Sequence, residues 1–341
     1  MNGGYVVAPW DLKTPYVNQW NLSVQRQVGS NWLLAGNYIG SNIIHSLFQY
    51  AANPAVYDAR PSCVIAGRTF NPCSTVGNTN QRRVLYTANP DLGQYFGGMA
   101  AADDGATRTY NALVLQIQRR RFKGVTVQGN YTWSHCIDDG YNDVIQGAGN
   151  QTQDRRRTNR ANCETDRRHN FNFSTVYETP KWSNGVMNVI AGGWSFSGIV
   201  RLLSGPSLSI VSGLDNAFSG TTDQSPLQIL SDPYMPNKSI DQWFNPKAFV
   251  QPALGQYGNA PVHSTTGGRF LGPGSIRIDM GLTRKFQVRE RQMLEFRVEA
   301  FNMPNHVNPG LPDVTFTSGT FGKILTAGDP RIMQMALKYV F

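Results

Sequence analysis

Ile332-Met333-Gln334-Met335-Ala336-Leu337-Lys338-Tyr339-Val340-Phe341 alternates along its whole length. Met333, Met335, Leu337, Tyr339 and Phe341 share one side, and Ile332, Gln334, Ala336, Lys338 and Val340 the other. Side chains of a strand point alternately to its two faces, so this pattern predicts a strand with one apolar and one wetter face. Roughly 10 residues is the length a tilted strand needs to cross a bilayer. The edge strand of a soluble β-sandwich has the same pattern, and this segment alone leaves both readings open.

Working back from it, eight more segments show the same period. They lie around Trp20–Val28, Trp32–Tyr38, Ala112–Gln118, Val125–Ser134, Asn170–Glu178, Trp194–Leu202, Ile276–Thr283 and Leu294–Ala300. The connections between them fall into two classes that alternate strictly. Short turns lie near residues 29–31, 122–124 and 287–290, with a medium one at 180–191. Long polar stretches span about 42–108, 137–167, 213–275 and 304–330. Transmembrane barrels are built this way, with short periplasmic turns and long extracellular loops. Compact soluble domains rarely hold several loops longer than about 15 residues. The pattern predicts an all-β, antiparallel transmembrane β-barrel segment of about nine strands, its long loops outside the cell.

Composition agrees. Charged residues are 16% of the chain, against roughly 25% in soluble domains. Glycine and proline are frequent, at 34 and 19 residues. Mean hydropathy is −0.36, and no run of apolar residues is long enough for a membrane-spanning helix. Alternating lipid-facing and lumen-facing residues average to this value in a barrel. Tyr131, Trp133, Tyr177, Trp182, Tyr339 and Phe341 stand near strand ends, where barrels carry aromatic girdles. Arg277, Asp279, Glu295, Arg297 and Glu299 fall on the wetter face. A hydrated lumen lets them pair across strands, whereas a dry core would penalise each one.

The net charge is +9. Its densest run, Arg155, Arg156, Arg157 and Arg160, lies in a loop-like stretch rich in Gly, Asn and Gln. A nucleic-acid interface would gather cations on one face among aromatics, so no nucleic-acid partner is expected. Contact with outer-membrane lipid and anionic lipopolysaccharide fits better. Met1-Asn2-Gly3-Gly4 has neither the basic nor the apolar region of a signal peptide.

The cysteines are Cys63, Cys73, Cys136 and Cys163, all in or beside the first two long loops. Their spacing predicts disulfides 63–73 and 136–163 in an oxidising compartment. A zinc site is the alternative, but no CxxC pair is present. The histidines form no HExxH, and GxSxG and P-loop motifs are missing. Ser134, His135, Asp138 and Asp139 are close in sequence, yet neighbours on a strand point to opposite faces. Asp103-Asp104-Gly105 and Asp138-Asp139-Gly140 have the acidic residues of a Ca²⁺ loop, and acidic turns commonly hold no ion. No catalytic residue, cofactor or metal is expected, and an enzyme is the least favoured class. Arg155, Arg156, Arg167, Arg168, His169 and Trp243 are the candidate ligand contacts. For Asp166-Arg167-Arg168-His169 a loop-anchoring ion network is the competing reading. Tyr339 and Phe341 form the candidate assembly signal.

Several stretches together resemble one family. They are Thr14-Pro15-Tyr16-Val17-Asn18-Gln19-Trp20, Tyr110-Asn111-Ala112-Leu113, Tyr131-Thr132-Trp133-Ser134, Asp166-Arg167-Arg168-His169-Asn170-Phe171, Gly193-Trp194-Ser195-Phe196, Phe244-Asn245-Pro246-Lys247-Ala248-Phe249 and Arg297-Val298-Glu299-Ala300-Phe301-Asn302-Met303-Pro304-Asn305-His306. With the Pro330–Phe341 close, they resemble the C-terminal barrel of Oar-like TonB-dependent receptors, which carry an N-terminal carboxypeptidase-regulatory-like domain. The resemblance implies a 22-stranded barrel closed by a plug and driven by the TonB complex. It also implies insertion by the barrel-assembly machinery and residence in the cell outer membrane. Nine strands would supply part of such a barrel. Residues 1–341 are therefore expected to be its C-terminal portion, with the signal peptide, regulatory-like domain, TonB box and plug outside them. A structural or adhesive surface protein, and a soluble secreted β-sandwich, are the alternatives.

Overall fold

The computed structural model describes residues 3–139, 160–183, 185–221, 224–259, 268–289 and 292–341. Nine long strands form its wall: β1 (Tyr16–Val28), β2 (Trp32–Ala51), β3 (Phe96–Phe122), β4 (Val125–Asp138), β5 (His169–Glu178), β6 (Trp194–Leu203), β7 (Ser275–Arg289), β8 (Gln292–Phe301) and β9 (Ile332–Val340). Each pairs antiparallel with its sequence neighbours, so the sheet runs β1 to β9 without a crossover. Two short additions bring the sheet to 11 strands. Gly3–Val7 pairs parallel to the start of β3, and Ala161–Asn162 pairs with the end of β4. Among the described residues β1 and β9 do not pair with each other, so the sheet is an open wall.

Register turns the alternation of single strands into two continuous faces. One row reads Val24, Gly36, Leu115, Tyr131, Phe171, Leu202 and Ile276 across β1 to β7. A second apolar row reads Tyr177, Phe196, Leu282, Val298 and Met335 across β5 to β9. One residue along, the partners are Gln25, Ala35, Gln116, Asn130, Asn172, Arg201 and Arg277. The apolar face is the outward one, and its side chains are bare: Leu22 is 66% exposed and Met335 73%. Such a surface is far larger than a protein leaves in water, and it suits hydrocarbon.

The tight turn after β3 requires its residues. Lys123 and Gly124 have φ of 50° and +78°, the left-handed pair of a two-residue hairpin. A Cβ on Gly124 would clash severely with the Glu178 carbonyl oxygen, so only glycine fits.

The first long loop is shorter than its sequence implies. The polar stretch expected from about 42 to 108 is strand up to Ala51 and again from Phe96, leaving residues 52–95 as loop. Register shifts between Ile43, Ser46 and Phe48 break the period there. The upper ends are also covered on both sides, with Phe48, Ala100, Ala101 and Ala102 all buried, so the contrast between faces is lost.

Above the wall the long loops pack into a cap. Leu208, Ile210, Phe244, Ala248, Phe249, Phe270 and Phe321 form one buried cluster from residues 204–274 and 302–331. Phe244, Phe249, Phe270 and Phe321 meet edge-to-face or stacked at 5.7–6.0 Å. Asn302 fixes the exit from β8: its N–H donates to Asp279 at 2.8 Å, its side chain donates to the His306 carbonyl at 2.9 Å, and its Oδ1 accepts from the His306 N–H at 3.0 Å.

Candidate functional site

The inner face is polar because every second wall residue must face the lumen. Near the short-turn end it holds an ion ladder. Arg297 reaches Glu295 at 2.7 Å and Glu299 at 3.8 Å, Lys285 reaches Glu295 at 3.8 Å, and Gln334 donates to Glu299. These groups satisfy one another.

Nearer the loop end the balance changes. Arg201 and Arg277 are direct cross-strand partners, an arrangement that repels. Arg277 is held by Asp279 at 3.0 Å. Arg167, just before β5, is coupled to Arg201: burial first, then the charge of Arg201, push its pKa below the usual guanidinium value, against Asp166. Its Nη1 is buried with no hydrogen-bond partner among the described residues. Arg201 and Arg277 thus form a basic corner of the inner face within the charge field of Arg167, whose buried Nη1 has no partner among the described residues. A buried unmatched donor is penalised, and an anion placed there would relieve both the repulsion and the missing bond.

Other groups build the rim of this corner. Asp166 is buried and accepts the Cys136 N–H at 2.7 Å, with Arg168 at 3.9 Å. Ser134 donates through its N–H to the Arg168 carbonyl and through Oγ to the Arg167 carbonyl, each at 3.0 Å. Cys136 is bonded to Cys163 with Cα atoms 5.4 Å apart, and Cys63 to Cys73 at 5.3 Å. These bonds brace the rim and the first loop. Asp58 lies beside Cys63 and Cys73, but thiols joined to each other offer no thiolate to a metal.

The sequence candidates therefore separate. Arg167 faces the basic corner, and Arg168 joins the Asp166 anchor. His169 lies on the outward parity of β5 with Phe171, its ring 2.7 Å from the Tyr131 hydroxyl and opposite Trp133. Trp243 packs on the loop cluster and donates Nε1 to the Leu271 carbonyl at 2.9 Å. Arg155 and Arg156 lie outside the described residues. Tyr339 and Phe341 lie side by side at the short-turn end, rings 6.2 Å apart. Arg201 escaped the sequence reading. Its signal was the inward parity of β6, but its closeness to Arg277 and Arg167 is a matter of register. Ser134 and His135 serve different partners, His135 meeting Asn162 at 3.0 Å, so no nucleophile–base contact forms between them.

Asp103 caps the Gly105 N–H at 2.6 Å, Asp138 pairs with Arg108 at 3.1 Å, and Asp139 accepts the Thr107 N–H at 2.6 Å. Each of these carboxylates of the acidic stretches is engaged within the protein.

Residues 2–334 match the family described as an outer membrane beta barrel domain. The chain belongs to that family. This outer membrane beta barrel domain resides in the outer membrane, and its open antiparallel wall is a partial barrel. No curated protein matches it. Solved structures that it resembles include the outer membrane transporter YddB from Escherichia coli, at 11% identity and a TM-score of 0.49, over 98% of this chain and 34% of that one. They also include the ferric-catecholate import receptor Fiu from E. coli K12, at 12% identity and 0.43, over 97% and 28%. The FrpB iron transporter from Neisseria meningitidis matches at 11% and 0.43, over 98% and 32%. The chain spans about a third of the length of these proteins.

Proposed function

We propose that this barrel domain is the C-terminal part of a TonB-dependent outer-membrane receptor of the Oar-like type, and that it takes up an anionic ligand. The basic corner of Arg167, Arg201 and Arg277 carries the reading. It sits on the inner face, below the ordered outer loops, where a ligand descending from the cap would meet it. Siderophores, acidic oligosaccharides and peptides all present carboxylates or comparable oxygens that match paired guanidinium groups. Residues 1–341 then form part of a larger wall. The edges of β1 and β9, unpaired with each other among the described residues, support this, since open sheet edges are not tolerated in hydrocarbon. In this reading other segments close the wall, plug the lumen and engage the TonB complex. The barrel-assembly machinery recognises the strand ending at Tyr339 and Phe341, and lipid and lipopolysaccharide surround the outward face. The role is binding and passage rather than catalysis.

Growth of host cells carrying the intact gene tests this. Ferric siderophores, oligosaccharides and peptides are each supplied as the limiting source, with and without a working TonB complex. The reading expects TonB-dependent growth on at least one, lost in the Arg201→Gln, Arg277→Gln double variant. No TonB-dependent growth, and no plug or TonB box encoded in frame upstream, would overturn it.

A second reading is a structural or adhesive surface protein. The Phe244, Phe249, Phe270 and Phe321 cluster favours it, because a cap with its own core can present a fixed outer surface. An intact gene that lacks a TonB box would favour it further.

A further inference from the structure

At one end of the wall Val28 pairs with Trp32, Phe122 with Val125 and Arg289 with Gln292, so three of the connections are short. The fourth, from β5 to β6, spends its residues on a helix, Gly185–Ala191. In a seven-residue helix, Val186, Met187, Val189 and Ile190 are all exposed, Val186 by 67% and Ile190 by 65%. A helix this short is not stable by itself in water. Residues of the wall hold it on one side.

That side is the outward face of the wall. Arg284 follows Met280 and Leu282 on the outward parity of β7, and its Cα partner on β6 is Trp194. Its guanidinium donates to the Asn188 carbonyl at 3.0 Å and the Ile190 carbonyl at 3.2 Å. Trp194 Nε1 also donates to Ile190 O at 2.8 Å, and the Trp182 N–H donates to Asn188 Oδ1 at 3.1 Å. A cation at the carbonyl end of a helix also suits the helix dipole. Arg284 is only 7% exposed, sandwiched with Trp194 at 5.1 Å and Phe286 at 4.5 Å. The same rim repeats the device: Arg119, also of outward parity, lies 5.2 Å from Trp32 and 5.6 Å from Phe122. Aromatic and cationic side chains at one height mark a membrane–water interface.

We propose that Gly185–Ala191 is an interfacial anchor that lies in the periplasmic leaflet of the outer membrane, its Val186, Met187, Val189 and Ile190 side chains among the lipid chains. Its apolar surface is continuous with the lipid-facing wall, so lipid is the occupant already present beside it. Arg284 and Trp194 hold it flat against the wall at headgroup height. The proposal rests on the outward face meeting lipid and is independent of the transport reading.

The test uses the intact gene product in phosphatidylcholine and phosphatidylglycerol vesicles, with the environment-sensitive fluorophore NBD on single introduced cysteines. Ile190→Cys and, separately, Val186→Cys report the helix; Leu115→Cys reports the wall and Gln116→Cys the lumen. An interfacial helix sits about 5–10 Å into the headgroup and acyl boundary. Both helix probes should lose emission to lipids carrying a nitroxide high on the acyl chain. They should lose less to one placed deep, and remain shielded from aqueous iodide. Two independent positions keep the test valid should one variant fail to assemble. Iodide quenching equal to Gln116→Cys, or protection from both quenchers as under a protein partner, would overturn the anchor while Leu115→Cys remains lipid-quenched. Loss of lipid quenching at Leu115→Cys as well would overturn the wall assignment and the anchor with it.

Discussion

Arg82 and Phe218 are 136 residues apart and join two outer loops: Arg82 Nη1 donates to the Phe218 carbonyl at 2.9 Å, and the guanidinium lies 5.7 Å from the Phe218 ring centre. The same side chain donates to the Val56 and Thr75 carbonyls and to Asn78 Oδ1. Its bonds to Val56, Thr75 and Asn78 brace residues 52–95 from within, and the Phe218 contact ties them to the other loop. Burial lowers its pKa from the ordinary guanidinium value, with Asp215 acting in the opposite direction.

Arg82→Met keeps the volume and strands these acceptors. A hydrogen bond to a charged group contributes about 1.5–3 kcal/mol, so the loop contact should weaken by about that much and residues 52–95 should loosen as well. Hydrogen exchange should accelerate in residues 52–95 and around Phe218, with little change in β7 to β9.

Phe249 touches Phe270, Phe316 and Phe321 in the loop cluster. Phe249→Ala should destabilise the cap by about 3–5 kcal/mol. Because this core is separate from the wall, protease sensitivity should appear within 204–274 while the barrel still assembles and keeps its heat-modifiable gel mobility.

The Cys136–Cys163 bond closes a separation of 27 residues at the rim of the basic corner. Replacing both cysteines by serine should remove about 3–4 kcal/mol of loop constraint. The expected readout is faster exchange at Ser134, at Asp166 and at the backbone amide of position 136, whose contacts the bond supports.

Asp58 titrates in the acid range. The hydrogen bond from the Arg60 side chain, then that from the Arg60 N–H, lowers its pKa from 3.8 to about 2. A carboxylate depressed in the folded state adds stability above its unfolded pKa and loses it as pH falls through the folded one. The Arg60–Asp58 contact should therefore be whole above about pH 4 and be lost as pH approaches 2. Proton exchange of Arg60 Nε against pH should show that transition, and Asp58→Asn should abolish it.

Much of the wall was legible because period-2 alternation survives wherever one face meets lipid and the other the lumen. β8 and β9 show this from Leu294 and Met333 onward. It failed in the upper halves of β2 and β3, where bulges shift register and loops bury both faces, as at Ala100 to Ala102. The Gly185–Ala191 helix also hid, since two turns of apolar residues are too short to establish a helical period. Arg167 was visible as a loop cation. Arg201 and Arg277 come together only once β6 and β7 are set side by side, which no single segment encodes. Trp243 was read as a loop ligand contact; its packing on the loop cluster appears only once residues 204–274 and 302–331 are seen to share one core.

The central claim is that alternate wall residues face lipid and lumen. A cysteine scan of Ala112 to Gln118 in outer-membrane fragments, read with a water-soluble maleimide, tests it directly. Labelling should follow Ala112, Val114, Gln116 and Gln118 and skip Leu113, Leu115 and Ile117. Equal labelling of both sets would contradict a transmembrane wall.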